Sequence, residues 1–127
     1  METLTTRGIT ISVETYYQEE HSRPIEQKHV FAYRITIENQ SADTVQLLRR
    51  HWYIFDSIGL TREVEGEGVI GQQPVLQPSE SHQYTSWCPL MTEIGKMYGT
   101  FLMEKEDGTT FRARIPEFQL IAPQKMN

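Results

Sequence analysis

The chain of 127 residues carries one cysteine, Cys88, so it can form no internal disulfide and offers no paired-cysteine zinc site. Basic residues are too few for an electrostatic grip on nucleic acid or anionic membrane: 12 Lys and Arg stand against 17 Asp and Glu, a formal charge of −5. No apolar run approaches the roughly 20 residues that span a bilayer. The opening Met-Glu-Thr-Leu-Thr-Thr-Arg lacks the basic and then apolar regions of a signal peptide. A cytoplasmic address is therefore expected. No 11-residue window keeps apolar residues at helical spacing.

What is present is period two. Ile9, Ile11 and Val13 alternate with Thr10, Ser12 and Glu14, which places three branched side chains on one face of a strand. After a polar loop over 18–27, Phe31, Tyr33, Ile35 and Ile37 share one face and Ala32, Arg34, Thr36 and Glu38 the other. The stretch 45–55 is β-rich with indistinct faces. Leu48, Trp52 and Ile54 oppose Val45, Leu47, Tyr53 and Phe55, and Arg49, Arg50 and His51 in mid-strand suggest an edge, a bulge or a functional surface. Further strands are expected over 61–64, 82–87, 97–104 and 111–115, and Phe118, Leu120 and Ile121 close the chain before a polar tail. Pro74 and Pro78 mark Val75-Leu76 as edge or connector, and Asp107-Gly108 forms a hairpin turn. The expected fold is all-β, an immunoglobulin- or fibronectin type III-like sandwich of about seven to nine antiparallel strands, with a small closed barrel as the alternative. One domain covers 1–127, its core about 6–121. Exposed sandwich edges allow monomer or homodimer.

Gly66-Glu67-Gly68-Val69-Ile70-Gly71 spells G-x-G-x-x-G. In dinucleotide sites such glycines let backbone amides approach a pyrophosphate at a helix N-terminus. Here Gln72-Gln73-Pro74-Val75-Leu76-Gln77-Pro78 follows, which cannot open a helix, so a Rossmann site is excluded. Two readings stay open. One is a main-chain anion nest with Arg49, Arg50 or Arg62 folded over it, countering Glu65 and Glu67; the other is a glycine-rich hairpin or bulge. Glu63, Glu65 and Glu67 share one face of an extended segment and give a weaker divalent-cation alternative.

The histidines His21, His29, His51 and His82 lack metal-ligand spacing, and Ser57 and Ser86 lack a nucleophile-elbow frame. Cys88 would be a nucleophile only beside a histidine in space. The sequence thus gives no catalytic residue, metal ligand or cofactor. Trp52, Tyr53, Phe55, Tyr84 and Trp87 could fill a core or form a stacking platform.

Four blocks carry a resemblance. The first is Arg49-Arg50-His51-Trp52-Tyr53-Ile54 with Asp56 and Gly59. The second runs from Glu63 through the glycine loop to Gln73-Pro74. The third is Tyr84-Thr85-Ser86, Cys88-Pro89-Leu90, Gly95, Met97 and Gly99. The last is Gly108, Phe111, Ile115-Pro116 and Phe118. In this order they resemble the ApaG family from about Thr6 to Leu120. The resemblance implies a fibronectin type III-like domain, a non-enzymatic role as a protein-interaction module, and a link to cobalt tolerance and magnesium efflux. It also implies a pyrophosphate site at Gly66, Gly68 and Gly71; a pyrophosphate or nucleotide there would draw on Arg49 and Arg50 in the anion-nest reading above. Trp87 departs from the pattern, standing where glycine is expected.

Overall fold

The structure, a computed structural model, describes residues 1–123. Nine strands follow in chain order: β1 Glu2–Thr6, β2 Ile9–Tyr17, β3 His29–Asn39, β4 Val45–Asp56, β5 Leu60–Glu67, β6 Val75–Leu76, β7 Ser81–Leu90, β8 Ile94–Lys105 and β9 Thr110–Ile121. Single 3₁₀ turns at Glu19–His21 and Pro24–Glu26 occupy the β2–β3 loop. Among the described residues no helix is long and apolar enough to cross a membrane.

Alternation of branched and polar residues buries one face of β2, β4, β8 and β9, so two sheets cover one another. The first has the order β1-β2-β3-β7, the second β5-β4-β8-β9, with β6 also paired to β4; the paired strands run antiparallel. The chain crosses between sheets after β3, before β7 and again after it. This is the expected sandwich.

The inward faces supply Ile9, Ile11 and Val13 from β2, Phe31, Tyr33, Ile35 and Ile37 from β3, and Phe101 and Met103 from β8. Trp52 sits at the centre, its ring edge-on to Tyr33 (5.4 Å), Phe101 (6.2 Å) and Phe118 (5.9 Å). Such contacts add to the area term that drives aromatic burial.

Two bulges set what faces outward. Along β4 the register to β8 slips between Leu47 and Arg49. Val45 and Leu47 point inward before the slip, Trp52, Ile54 and Asp56 after it. A single extra residue reverses the alternation, which is why the sequence shows blurred faces here. The second slip lies between Met97 and Gly99 of β8, opposite Pro116 and Glu117, so β9 continues through a proline that a regular ladder would exclude. The two edges of the sandwich differ. Beside β1, Arg114 N donates to Thr6 Oγ1 at 3.1 Å. On the opposite side Arg62 of β5 reaches across to β7, donating to Pro89 O at 2.6 Å.

Candidate functional site

The glycine segment turns out to be a tight hairpin docked on the β4 bulge. Val69 N donates to Gln72 O (2.8 Å) and Gln72 N to Val69 O (3.0 Å). Between them Ile70 (φ 47°) and Gly71 (φ 71°) are both left-handed, as a primed two-residue turn requires. Gly68, also left-handed, lies so close to the returning strand that a Cβ would stand 2.2 Å from Gln72 O. Its amide donates to Leu48 O at 2.9 Å, and Gln73 Nε2 reaches the same carbonyl at 3.0 Å. Val69 is buried in the core and fixes the hairpin from below.

Arg50 does meet this loop. Its guanidinium lies over Gly66, where a Cβ would be 3.0 Å from Nη1, and Nη1 donates to Glu67 O (2.9 Å) and Gly68 O (3.0 Å). Gly66, Gly68, Gly71 and Arg50 therefore gather at one hairpin. Arg49 does not join them: it is exposed on the other face of β4, in register with Glu67. The amides of Gly68, Val69 and Gln72 are bonded to the chain's own carbonyls, and a bound anion would have to compete for them.

The remaining candidates scatter. Cys88 is buried, and burial pushes its thiol up to about 11, with the Arg62 guanidinium opposing the shift. His29 is buried with Nδ1 3.1 Å from the Tyr17 hydroxyl, while His21 packs on the Trp87 ring at 4.7 Å. Trp87 stands half-exposed on the outward face of β7 opposite Ala32, at ordinary strand φ, so its backbone needs no glycine. Among the described residues no three His, Cys, Asp or Glu side chains come together as a metal site.

The expected aromatic platform divides in two. Trp52 and Tyr84 join or pack on the core. His51, Tyr53 and Tyr98 stack on the outer face of the second sheet, His51 to Tyr53 at 4.7 Å and Tyr53 to Tyr98 at 5.2 Å. Beside them His51 Nε2 pairs with Glu63 Oε1 at 2.5 Å. Tyr98 escaped attention in the sequence; its place opposite Tyr53 follows only from the β4–β8 register.

A second feature lies at the sandwich end opposite the glycine hairpin. There the loops after β2, β4 and β7 converge, tied by Ser57 N to Ile94 O (3.0 Å) and Ala122 N to Glu93 O (2.8 Å). Ile25, Ile58, Leu60, Met91, Ile94 and Ile121 are all exposed here. Leu60 and Met91 flank a cleft of about 350 Å³ whose walls include Lys28, Asp56, Arg62 and Leu90. Ile25, at the tip of a 3₁₀ turn, is completely exposed. None of this was legible as a cluster, because the six residues come from four separate segments.

The family model described as the ApaG domain matches residues 19–105. Protein ApaG of Brucella canis is 49% identical over 120 residues, covering 94% of this chain and 92% of that protein. Protein ApaG of Paramagnetospirillum magneticum is 49% identical over 121 residues, covering 95% and 93%. Among solved structures, an ApaA protein from Bordetella pertussis superposes with a TM-score of 0.89 at 44% identity, covering 92% of this chain and 95% of that one. A further X-ray structure gives a TM-score of 0.86 at 42% identity, with 91% and 88% covered. With a family model spanning more than half its length and close relatives along nearly all of it, the chain belongs to the ApaG family.

Proposed function

We propose that this ApaG-family chain is a non-catalytic protein-interaction module that docks its partner at the loop end around Leu60 and Met91. The observation that carries this reading is the gathering of exposed Ile25, Ile58, Leu60, Met91, Ile94 and Ile121 at one end of the sandwich. Single exposed apolar residues are ordinary, but several at one end, two of them lining a cleft, mark an interaction surface. Loops at one end of a two-sheet frame are also the part of this architecture that varies without disturbing the core. Lys28 and Arg62 border the apolar cleft and would pair with acidic groups at the rim of a partner. On this reading the cobalt and magnesium connection implied by the resemblance runs through the partner.

A Leu60→Asp/Met91→Asp variant should fold normally, since both side chains are exposed, and should lose at least tenfold of the partner cross-linked by the wild-type chain in cells. Recovery of the same partner in equal amount from both proteins would overturn the assignment. The rival reading, pyrophosphate or nucleotide held by the glycine hairpin, is supported by Arg50 lying over Gly66. It is opposed by the internal bonding of the three loop amides. Titration calorimetry of the wild type with pyrophosphate, with and without Mg²⁺, should show no saturable heat. A saturable signal that Arg50→Ala removes would favour the rival.

A further inference from the structure

The strand register writes a charge pattern across the outer face of the second sheet. Successive rows read Glu67, Arg49, Leu102, Arg112 and then Glu65, His51, Thr100, Arg114, each running from β5 through β4 and β8 to β9. The next row holds Glu63, Tyr53 and Tyr98 and reaches β9 at its bulge, where exposed Glu117 pairs with Lys96 of β8 at 3.5 Å. The face is thus acidic along β5, mixed through the middle, where Arg49 and His51 stand beside Leu102 and the Tyr53–Tyr98 stack, and basic on β9 at Arg112 and Arg114. At about 4.8 Å per strand, β5 and β9 are about 14 Å apart, beyond direct pairing and beyond a Debye length at physiological salt. Among the described residues Glu65, Glu67, Arg49, Arg112 and Arg114 form no ion pair within the chain.

We infer that this face pairs with a second copy of the chain about a two-fold axis parallel to its strands. A two-fold rotation about such an axis, lying between the faces, sets β5 of one copy over β9 of the other. Glu65 and Glu67 of each copy then meet Arg114 and Arg112 of the other, and the Tyr53–Tyr98 stacks meet one another. The alternative two-fold axis, across the strands, would set Glu63, Glu65 and Glu67 against their own copies, which like-charge repulsion opposes. Charge therefore selects one orientation, and a closed symmetric dimer is the commonest assembly for a self-complementary patch. Four strands, each about seven residues long, give a footprint of roughly 500 Å² per copy. That is the low end of specific interfaces, so the pairing is weak and salt-sensitive.

Sedimentation equilibrium up to millimolar chain tests this. The wild type should dimerise in 50 mM NaCl and lose at least tenfold in association constant at 1 M. Glu65→Arg/Glu67→Arg carries two basic rows and Arg112→Glu/Arg114→Glu two acidic ones. Each alone should be at least tenfold weaker than wild type, and an equal mixture should recover the dimer as a heterodimer. All four positions are exposed, so the fold should be retained, which circular dichroism confirms. A wild type that stays monomeric overturns the inference, as does a dimer indifferent to both reversals or a mixture without heterodimer. The Leu60→Asp/Met91→Asp variant should dimerise like wild type, so failure at the loop end and failure here are separable.

Discussion

Gly99→Val should leave little or no folded protein, and Gly99→Ala should already cost about 3 kcal/mol or more. Gly99 lies on β8 facing inward, in register with Trp52 of the central strand β4. A Cβ at this position would stand 2.0 Å from His51 O and 3.1 Å from the Trp52 Cα. Both are backbone atoms, so no rotamer change relieves the overlap. Moving β4 away would break its ladder to β8 and shift Trp52 out of its contacts with Tyr33, Phe101 and Phe118. Gly99 is not left-handed, so the demand is for close approach alone. Gly59 provides the contrast: its φ is +95°, but a Cβ there would meet nothing within 4 Å. Gly59→Ala should cost only about 1–2 kcal/mol, the penalty for a side chain in that region. Urea unfolding of the three proteins measures both effects, and a Gly99→Ala variant as stable as Gly59→Ala would overturn the argument.

The contrast between these glycines also shows how far the sequence could be read. Where apolar residues alternate with small or polar ones, as from Phe31 to Ile37, period two gave the strand and its core-facing residues directly, although Ala32 on the other face is buried too. The 45–55 segment resisted because the bulge at Leu48 reverses the alternation midway, and nothing in the residues themselves announces a register slip. Strand β1 was not expected, since only Leu4 and Thr6 are partly covered and a strand with both faces wet shows no period. The expected return strand stopped at Ile115, before Pro116, a residue tolerated only because it sits in the second bulge.

The candidate site follows the same logic. G-x-G-x-x-G was legible as a demand for glycine, but the letters do not tell a phosphate from a neighbouring carbonyl. In the fold Gly68 makes room for Gln72 O, and Gly66 for the Arg50 guanidinium. Arg50 and Arg49 separate onto opposite faces because they are consecutive in a strand, and only the bulge decides which of them turns inward. The striped outer face needed more still. Glu63, Glu65 and Glu67 were visible as an alternating set, but their relation to Arg112 and Arg114 exists only once four strands are in register.

Asp56 carries the second large effect, and it joins stability to the proposed docking end. It closes β4 as a buried, inward-facing carboxylate. Met91 N donates to Oδ2 at 2.6 Å, and Thr92 Oγ1 donates to Oδ1. Thr92 Oγ1 also lies 2.6 Å from Ser57 Oγ, so one carboxylate holds the β7–β8 turn against the turn after β4. Asp56→Ala removes both hydrogen bonds to a charged acceptor and leaves the Met91 amide without its protein partner. A loss of about 2–4 kcal/mol is expected, the upper part of the range arising if no water reaches that amide. Asp56→Asn keeps one acceptor oxygen but not the charge, and should lose about half as much. Urea unfolding at pH 7 gives both values, and an Asp56→Ala loss under 0.5 kcal/mol would overturn the assignment. Met91 rides on the turn that Asp56 secures, so the Asn variant, still folded, should also capture less of a partner docked at Leu60 and Met91. Unchanged capture would mean that the turn keeps its place without the carboxylate.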